Sequence, residues 1–126
     1  MPLPERLEKD VEDLRSAGHV VEVVEDGTRY YVIISDFELP AGYDTQTADL
    51  MIIADYQYNQ SALDMFYTSP HVKSAAGSWP QNADQFEQYA QRTWQRWSWH
   101  YPGWNPTTHN LTTHLEACKD RLFKGL

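Results

Sequence analysis

The chain has a single cysteine, Cys118, among 126 residues. That excludes an internal disulfide and every metal motif assembled from several cysteines. Positive charge is also scarce, with ten Lys and Arg against eighteen Asp and Glu and a formal charge of -8. Phosphate contacts need clustered cations, and these ten are scattered, so general nucleic-acid binding is excluded and a basic partner is easier to accommodate than an acidic one. No stretch approaches the roughly 18 apolar residues of a membrane-spanning helix. The opening MPLPERLEKD shows no positive leader followed by an apolar run. A cytoplasmic protein is expected, with neither membrane nor nucleic acid as partner. Without export the sequon Asn110-Leu111-Thr112 carries no meaning.

What is present suffices for one domain over residues 1–126. The chain is 41% hydrophobic and 13% aromatic, enough apolar surface to close one core. Its pattern predicts an α+β domain, a short antiparallel sheet between two helices. Leu7, Val11 and Leu14 recur at helical spacing within PERLEKDVEDLRS at 4–16, with Gly18 beyond the end. The following HVVEVVEDGTRYYVIIS has two β-branched and aromatic runs around Asp26-Gly27, which suits a tight hairpin. After the turn FELPAGYDT, the run ADLMIIAD at 48–55 reads as a third strand buried on both faces. LDMFYT at 63–68 reads as a fourth, ending at Ser69-Pro70. Four strands in succession make a meander. Residues 71–82 are mostly Ser, Ala, Gly, Pro and Asn, a long surface loop and a candidate functional region. Phe86, Tyr89, Ala90, Trp94 and Trp97 are spaced for a helix over 83–97. A closing helix places Leu111, Leu115, Cys118 and Leu122 on one face, with Thr107 or Thr108 as cap and Gly125 as stop.

Cys118 falls on that apolar stripe and reads as a small buried hydrophobe, because a reactive thiol needs a basic neighbourhood or a helix N-terminus. His109 and His114 are five apart, too far around a helix to converge on one ion as an i, i+4 pair would. A metal site from His71, His100 and His109 stays open beside the reading of these residues as surface or hydrogen-bonded histidines, and no cofactor is expected. The densest composition is WQRWSWHYPGW at 94–104, which holds four of the five tryptophans. Aromatics at that density build core or interface. Alternatively, Ser98 and His100, two apart in a turn, bring a hydroxyl near an imidazole that could serve as its base. Asp84 and Glu87 are the nearest upstream carboxylates. Thr93, Tyr101 and Thr107 are the other hydroxyls of the region.

The order of helix, four-strand meander, long loop and C-terminal helix resembles the ubiquitin-conjugating fold. Trp104-Asn105-Pro106 resembles the Trp-x-Pro that in that family follows a catalytic-cysteine loop and precedes a helix. Counting back eight residues from Trp104 reaches Arg96, with Trp97 and Ser98 beside it, and no cysteine is there. The family's His-Pro-Asn tripeptide is also absent. LPAGY at 39–43, DMFY at 64–67 and WQRWSWH followed by W-x-P are similar to a bacterial branch, the prokaryotic ubiquitin-conjugating-like family E, over about residues 18–124. The resemblance implies a transferase without the usual cysteine, acting in a ubiquitin-like conjugation pathway. Its implied partners are a ubiquitin-like protein, a ThiF-like activating-enzyme homologue and a deconjugating peptidase. It further implies a modifier carried as an oxyester on Ser98, with His100 as general base and Arg96 or Asn105 steadying the developing charge. A non-catalytic module that binds the modifier or its activating enzyme, and a histidine-held metal site, are the alternatives.

Overall fold

The computed structural model describes residues 3–124. Helix α1 spans Glu5–Ser16, strands β1 Val20–Asp26, β2 Arg29–Glu38, β3 Thr47–Asp55, β4 Phe66–Ser69, β5 Gln85–Tyr89 and β6 Arg92–Trp97, and helix α2 spans Leu111–Lys124. One antiparallel sheet runs in the order β1-β2-β3-β4-β6-β5. The α+β class and the β1 to β4 meander are those expected from the sequence. The sheet has six strands rather than four.

The two additional strands come from residues 83–97, where a helix was expected. Ala90 and Gln91 hold φ of 50° and 62°, so the chain reverses in a two-residue turn that no helix can contain. Neither residue type favours that conformation, and local sequence therefore carries no turn signal there. In a strand, residues three apart point to opposite faces. Trp97 joins the core between sheet and helices, while Trp94 joins a second cluster on the outer face with Tyr31, Ile33, Met51 and Tyr67.

Among the described residues no helix covers that outer face; the β5–β6 hairpin does. Strand β4 is only four residues long and stops where Pro70 offers no N–H, so the distal end of the hairpin has no inner neighbour to pair with. It folds across the sheet. Tyr89 lies with its ring 5.4 Å from Tyr31 and 5.5 Å from Tyr67, and Arg92 meets Asp49 of β3 at 2.9 Å. This accounts for β3 being covered on both sides, with Leu50 and Ile52 inward and Met51 outward.

Both helices lie on the inner face. Leu7, Val11 and Leu14 of α1 and Leu111, Leu115, Cys118 and Leu122 of α2 are buried there. Helix α1 ends in a left-handed Gly18 at φ 99°, with the Gly18 and His19 amides donating back to Arg15 and Leu14. Asn110, not Thr107 or Thr108, caps α2. Its Oδ1 accepts from the Thr113 amide at 3.0 Å, and Thr113 Oγ1 accepts from the Asn110 amide at 2.9 Å. Thr107 and Thr108 belong to a separate turn before it, and the expected stop at Gly125 lies outside the described residues. The β1–β2 turn is shifted by one residue from the expected Asp26-Gly27. Asp26 still pairs with Arg29, and the loop is Gly27-Thr28, with Gly27 at φ 63°.

Gln95, 1% exposed, ties the long 71–83 loop to the sheet. Its Oε1 accepts from the Val72 amide at 2.6 Å and from Thr68 Oγ1 at 3.0 Å; its Nε2 donates to the carbonyls of Val72 at 2.9 Å and Ala83 at 2.7 Å. Thr68 Oγ1 in turn accepts from Trp97 Nε1 at 2.9 Å. Every polar group of this cluster is satisfied away from water, so removing the amide strands several buried partners. Gln95→Leu is expected to lower stability by roughly 2–4 kcal/mol in urea denaturation, while Gln88→Leu on the exposed side of β5 stays within about 0.5 kcal/mol.

Candidate functional site

Strand β6 delivers Arg96 and Ser98 to the same side of the chain, two residues apart. The Ser98 amide donates to the Asn82 carbonyl at 2.9 Å, which holds the strand's exit against the long loop. Arg96 Nε donates to Ser98 Oγ at 2.8 Å, and Arg96 Nη1 meets Glu87 Oε2 of β5 at 2.5 Å. Glu87 also accepts from the Tyr89 hydroxyl. Partial burial works against the Glu87 carboxylate, but the hydrogen bonds from Tyr89 and Arg96 outweigh it and hold its pKa below the usual value. Arg96 is thus oriented from one side by a carboxylate and points a charged N–H at the serine oxygen.

His100 stands apart from that pair. Its Nδ1 lies 2.8 Å and 3.0 Å from the two oxygens of Asp64, and no hydrogen bond among the described residues joins it to Ser98. Asp64, 36 positions upstream, gave no sign in sequence of this role; only the return of the chain before β4 brings it to the histidine. Asn105 sits in the turn before α2. Its Oδ1 accepts from the Thr107 amide at 3.0 Å, its own amide donates to His109 Nδ1 at 2.8 Å, and it makes no hydrogen bond to Ser98 or Arg96.

Asn59, which the sequence did not single out, holds that turn in place. It is 5% exposed, donates from Nδ2 to the carbonyls of Pro106 at 3.2 Å and His109 at 2.5 Å, and accepts at its own carbonyl from Trp104 Nε1 at 2.9 Å. Trp104 is therefore a partly buried anchor of the turn. Trp99 is clamped between Arg121, 3.5 Å above its ring, and the Gln81 carbonyl. A cleft of about 240 Å³ opens beside these residues, lined by Tyr101, Trp104, His109, Thr113 and His114. A larger groove of about 550 Å³, between Gly18, Phe37 and Phe123, includes none of Arg96, Ser98, His100 and Asn105.

The three histidines weighed for a metal occupy different settings. His71 packs edge-on against Trp79 at 5.6 Å, His100 pairs with Asp64, and His109 accepts from Asn105. Among the described residues no three or more His, Cys, Asp or Glu side chains come together as a metal site. Cys118 is fully buried, as its place on the α2 stripe suggested, and burial pushes its thiol well up from its ordinary value. A thiolate there is disfavoured, which removes the chain's single cysteine from acyl chemistry.

A family model described as prokaryotic E2 family E matches residues 6–124. No curated protein and no solved structure gives a significant match. Among the described residues no helix is long and apolar enough to cross a membrane.

His114, at the floor of the cleft, supplies a test of this arrangement. It is 3% exposed and bonded through Nε2 to the Met65 carbonyl at 2.9 Å; burial lowers its pKa from 6.5, against smaller opposing contributions from that bond and from Asp64. A depressed histidine pKa means the unfolded chain takes up a proton that the folded chain refuses. Stability from this group is therefore complete above about 6.5 and is lost as pH falls below it. His114→Gln is expected to flatten the fall in urea midpoint between neutral pH and about one unit below 6.5, relative to wild type. An unchanged slope would show that His114 does not carry it.

Proposed function

The chain belongs to the prokaryotic E2 family E, and from that premise we propose that it receives a ubiquitin-like protein from a ThiF-like activating enzyme and carries it as an oxyester on Ser98. Membership places it in ubiquitin-like conjugation generally; the chemistry is our reading of the site. Its main support is the 2.8 Å hydrogen bond from Arg96 Nε to Ser98 Oγ, with Arg96 itself fixed by Glu87. A guanidinium against the attacking oxygen stabilises the negative charge that develops there and lowers the cost of using a hydroxyl where a thiol is absent.

In the transfer, Ser98 Oγ attacks the thioester carbonyl that joins the modifier's C-terminus to the activating enzyme's cysteine. The C–O bond forms, the C–S bond breaks, and the thiolate leaves. The serine proton passes to Nε2 of His100, whose Nδ1 is occupied by Asp64, and from there to the departing thiolate. Bound modifier closes the distance between His100 and the hydroxyl, since catalytic hydrogen bonds are often long in the free protein. Asn105, with Oδ1 engaged by Thr107, has Nδ2 left to donate to the carbonyl oxygen. The pathway partners are the modifier, its activating enzyme and a deconjugating peptidase, acting in the cytoplasm.

One observation favours a second reading. Neither His100 nor Asn105 is bonded to Ser98 in the free protein, as a binding module that presents the modifier to another component without chemistry would allow. Intact-mass analysis after incubation with activating enzyme, ATP and ubiquitin-like protein separates the two. The carrier predicts an adduct cleaved by hydroxide but not by mild thiol, absent in Ser98→Ala. In Arg96→Ala the adduct forms about tenfold more slowly or worse, since a charge-assisted hydrogen bond contributes roughly 1.5–3 kcal/mol. Binding without any wild-type adduct would establish the module instead.

A further inference from the structure

We propose that Asp64 is the positioning residue for His100, fixing the imidazole as the Nδ1–H tautomer with Nε2 presented as proton acceptor; its use in transfer rests on the reading of His100 as the base. Nδ1 lies 2.8 Å and 3.0 Å from the two oxygens of Asp64, and a carboxylate can only accept. The proton on a neutral ring must then sit at Nδ1, and the lone pair at Nε2.

This contact matters for orientation and not for stability. The side chains are 70% and 51% exposed, and such pairs contribute little to folding in water. An exposed imidazole with no partner would rotate freely and favour the other tautomer. Asp64 itself is held from both sides. Leu63 before it is 2% exposed, and Phe66, which starts β4, is fully buried. Met65 between them takes a left-handed backbone at φ 34°, a costly conformation that persists only where the surroundings determine it. The buried His114 of α2 supplies one such determinant through its hydrogen bond to the Met65 carbonyl. A rigid framework thus carries an exposed carboxylate to one nitrogen of an exposed ring. No stability requirement explains that pairing, whereas a required tautomer does.

Long-range proton–nitrogen correlation NMR at alkaline pH reads the tautomer directly. In the wild-type chain His100 is expected as Nδ1–H. In Asp64→Ala, with the thermal midpoint nearly unchanged, it is expected to move to mainly Nε2–H, and Ser98 adduct formation is expected to slow roughly tenfold, part of the hundredfold or more that a general base supplies. A wild-type ring already mainly Nε2–H, or a tautomer indifferent to Asp64→Ala, overturns the proposal without reference to any activity. If instead the tautomer follows Asp64 and the adduct rate does not, the positioning stands and the role of His100 in transfer falls. Loss of all adduct chemistry in the wild type, with the tautomer as expected, would overturn the carrier reading and leave the pairing intact.

Discussion

The side-chain amide of Gln95 is the joint on which the candidate site hangs. A glutamine in the middle of a sheet is costly unless all its hydrogen-bonding capacity is met. Here both lone pairs of its oxygen and both protons of its nitrogen have partners, three of them backbone groups of the long loop. That loop has few large apolar residues with which to anchor itself, so the amide substitutes for hydrophobic packing. Because Ser98 is bonded to Asn82 and Trp99 to Gln81, the same joint fixes where the chain leaves β6 and enters the candidate site.

The sheet is protected on its second face by its own last hairpin. An uncovered outer face bearing Tyr31, Ile33, Met51 and Tyr67 would be an aggregation surface. The early end of β4 at Pro70 frees the hairpin to bend over it, and Arg92 with Asp49 closes the fold at the rim. The consequence reaches the site. Glu87 and Arg96 belong to the covering hairpin, so the ion pair that orients Arg96 toward Ser98 exists because the hairpin is there.

Two groups of side chains therefore meet the region from different supports. Arg96 and Ser98 ride on the sheet, while His100, Asn105 and His109 ride on a connecting segment moored by Asn59, Trp104 and α2. Cys118 is fully buried in the core, where its thiolate is disfavoured.

The helices, the first hairpin and the third strand were legible in the sequence because each depends on local periodicity and turn chemistry: Leu7, Val11 and Leu14 at helical spacing, a glycine at the β1–β2 turn, an unbroken apolar run at 48–55. So was the burial of Cys118 on the apolar stripe of α2. The hairpin at 85–97 was not. Aromatics spaced by three and four satisfy a helix as well as a strand whose two faces are both covered, and only the presence of tertiary partners on both sides decided for the strand. Asp64 beside His100, Glu87 on Arg96 and Asn59 beneath the Trp104 turn were likewise settled by the fold. Asp64 and His100 lie 36 residues apart and Asn59 and Trp104 lie 45 apart, while Glu87 reaches Arg96 only across the Ala90-Gln91 turn, and no local rule states which of these partners will arrive once the strands have found their register.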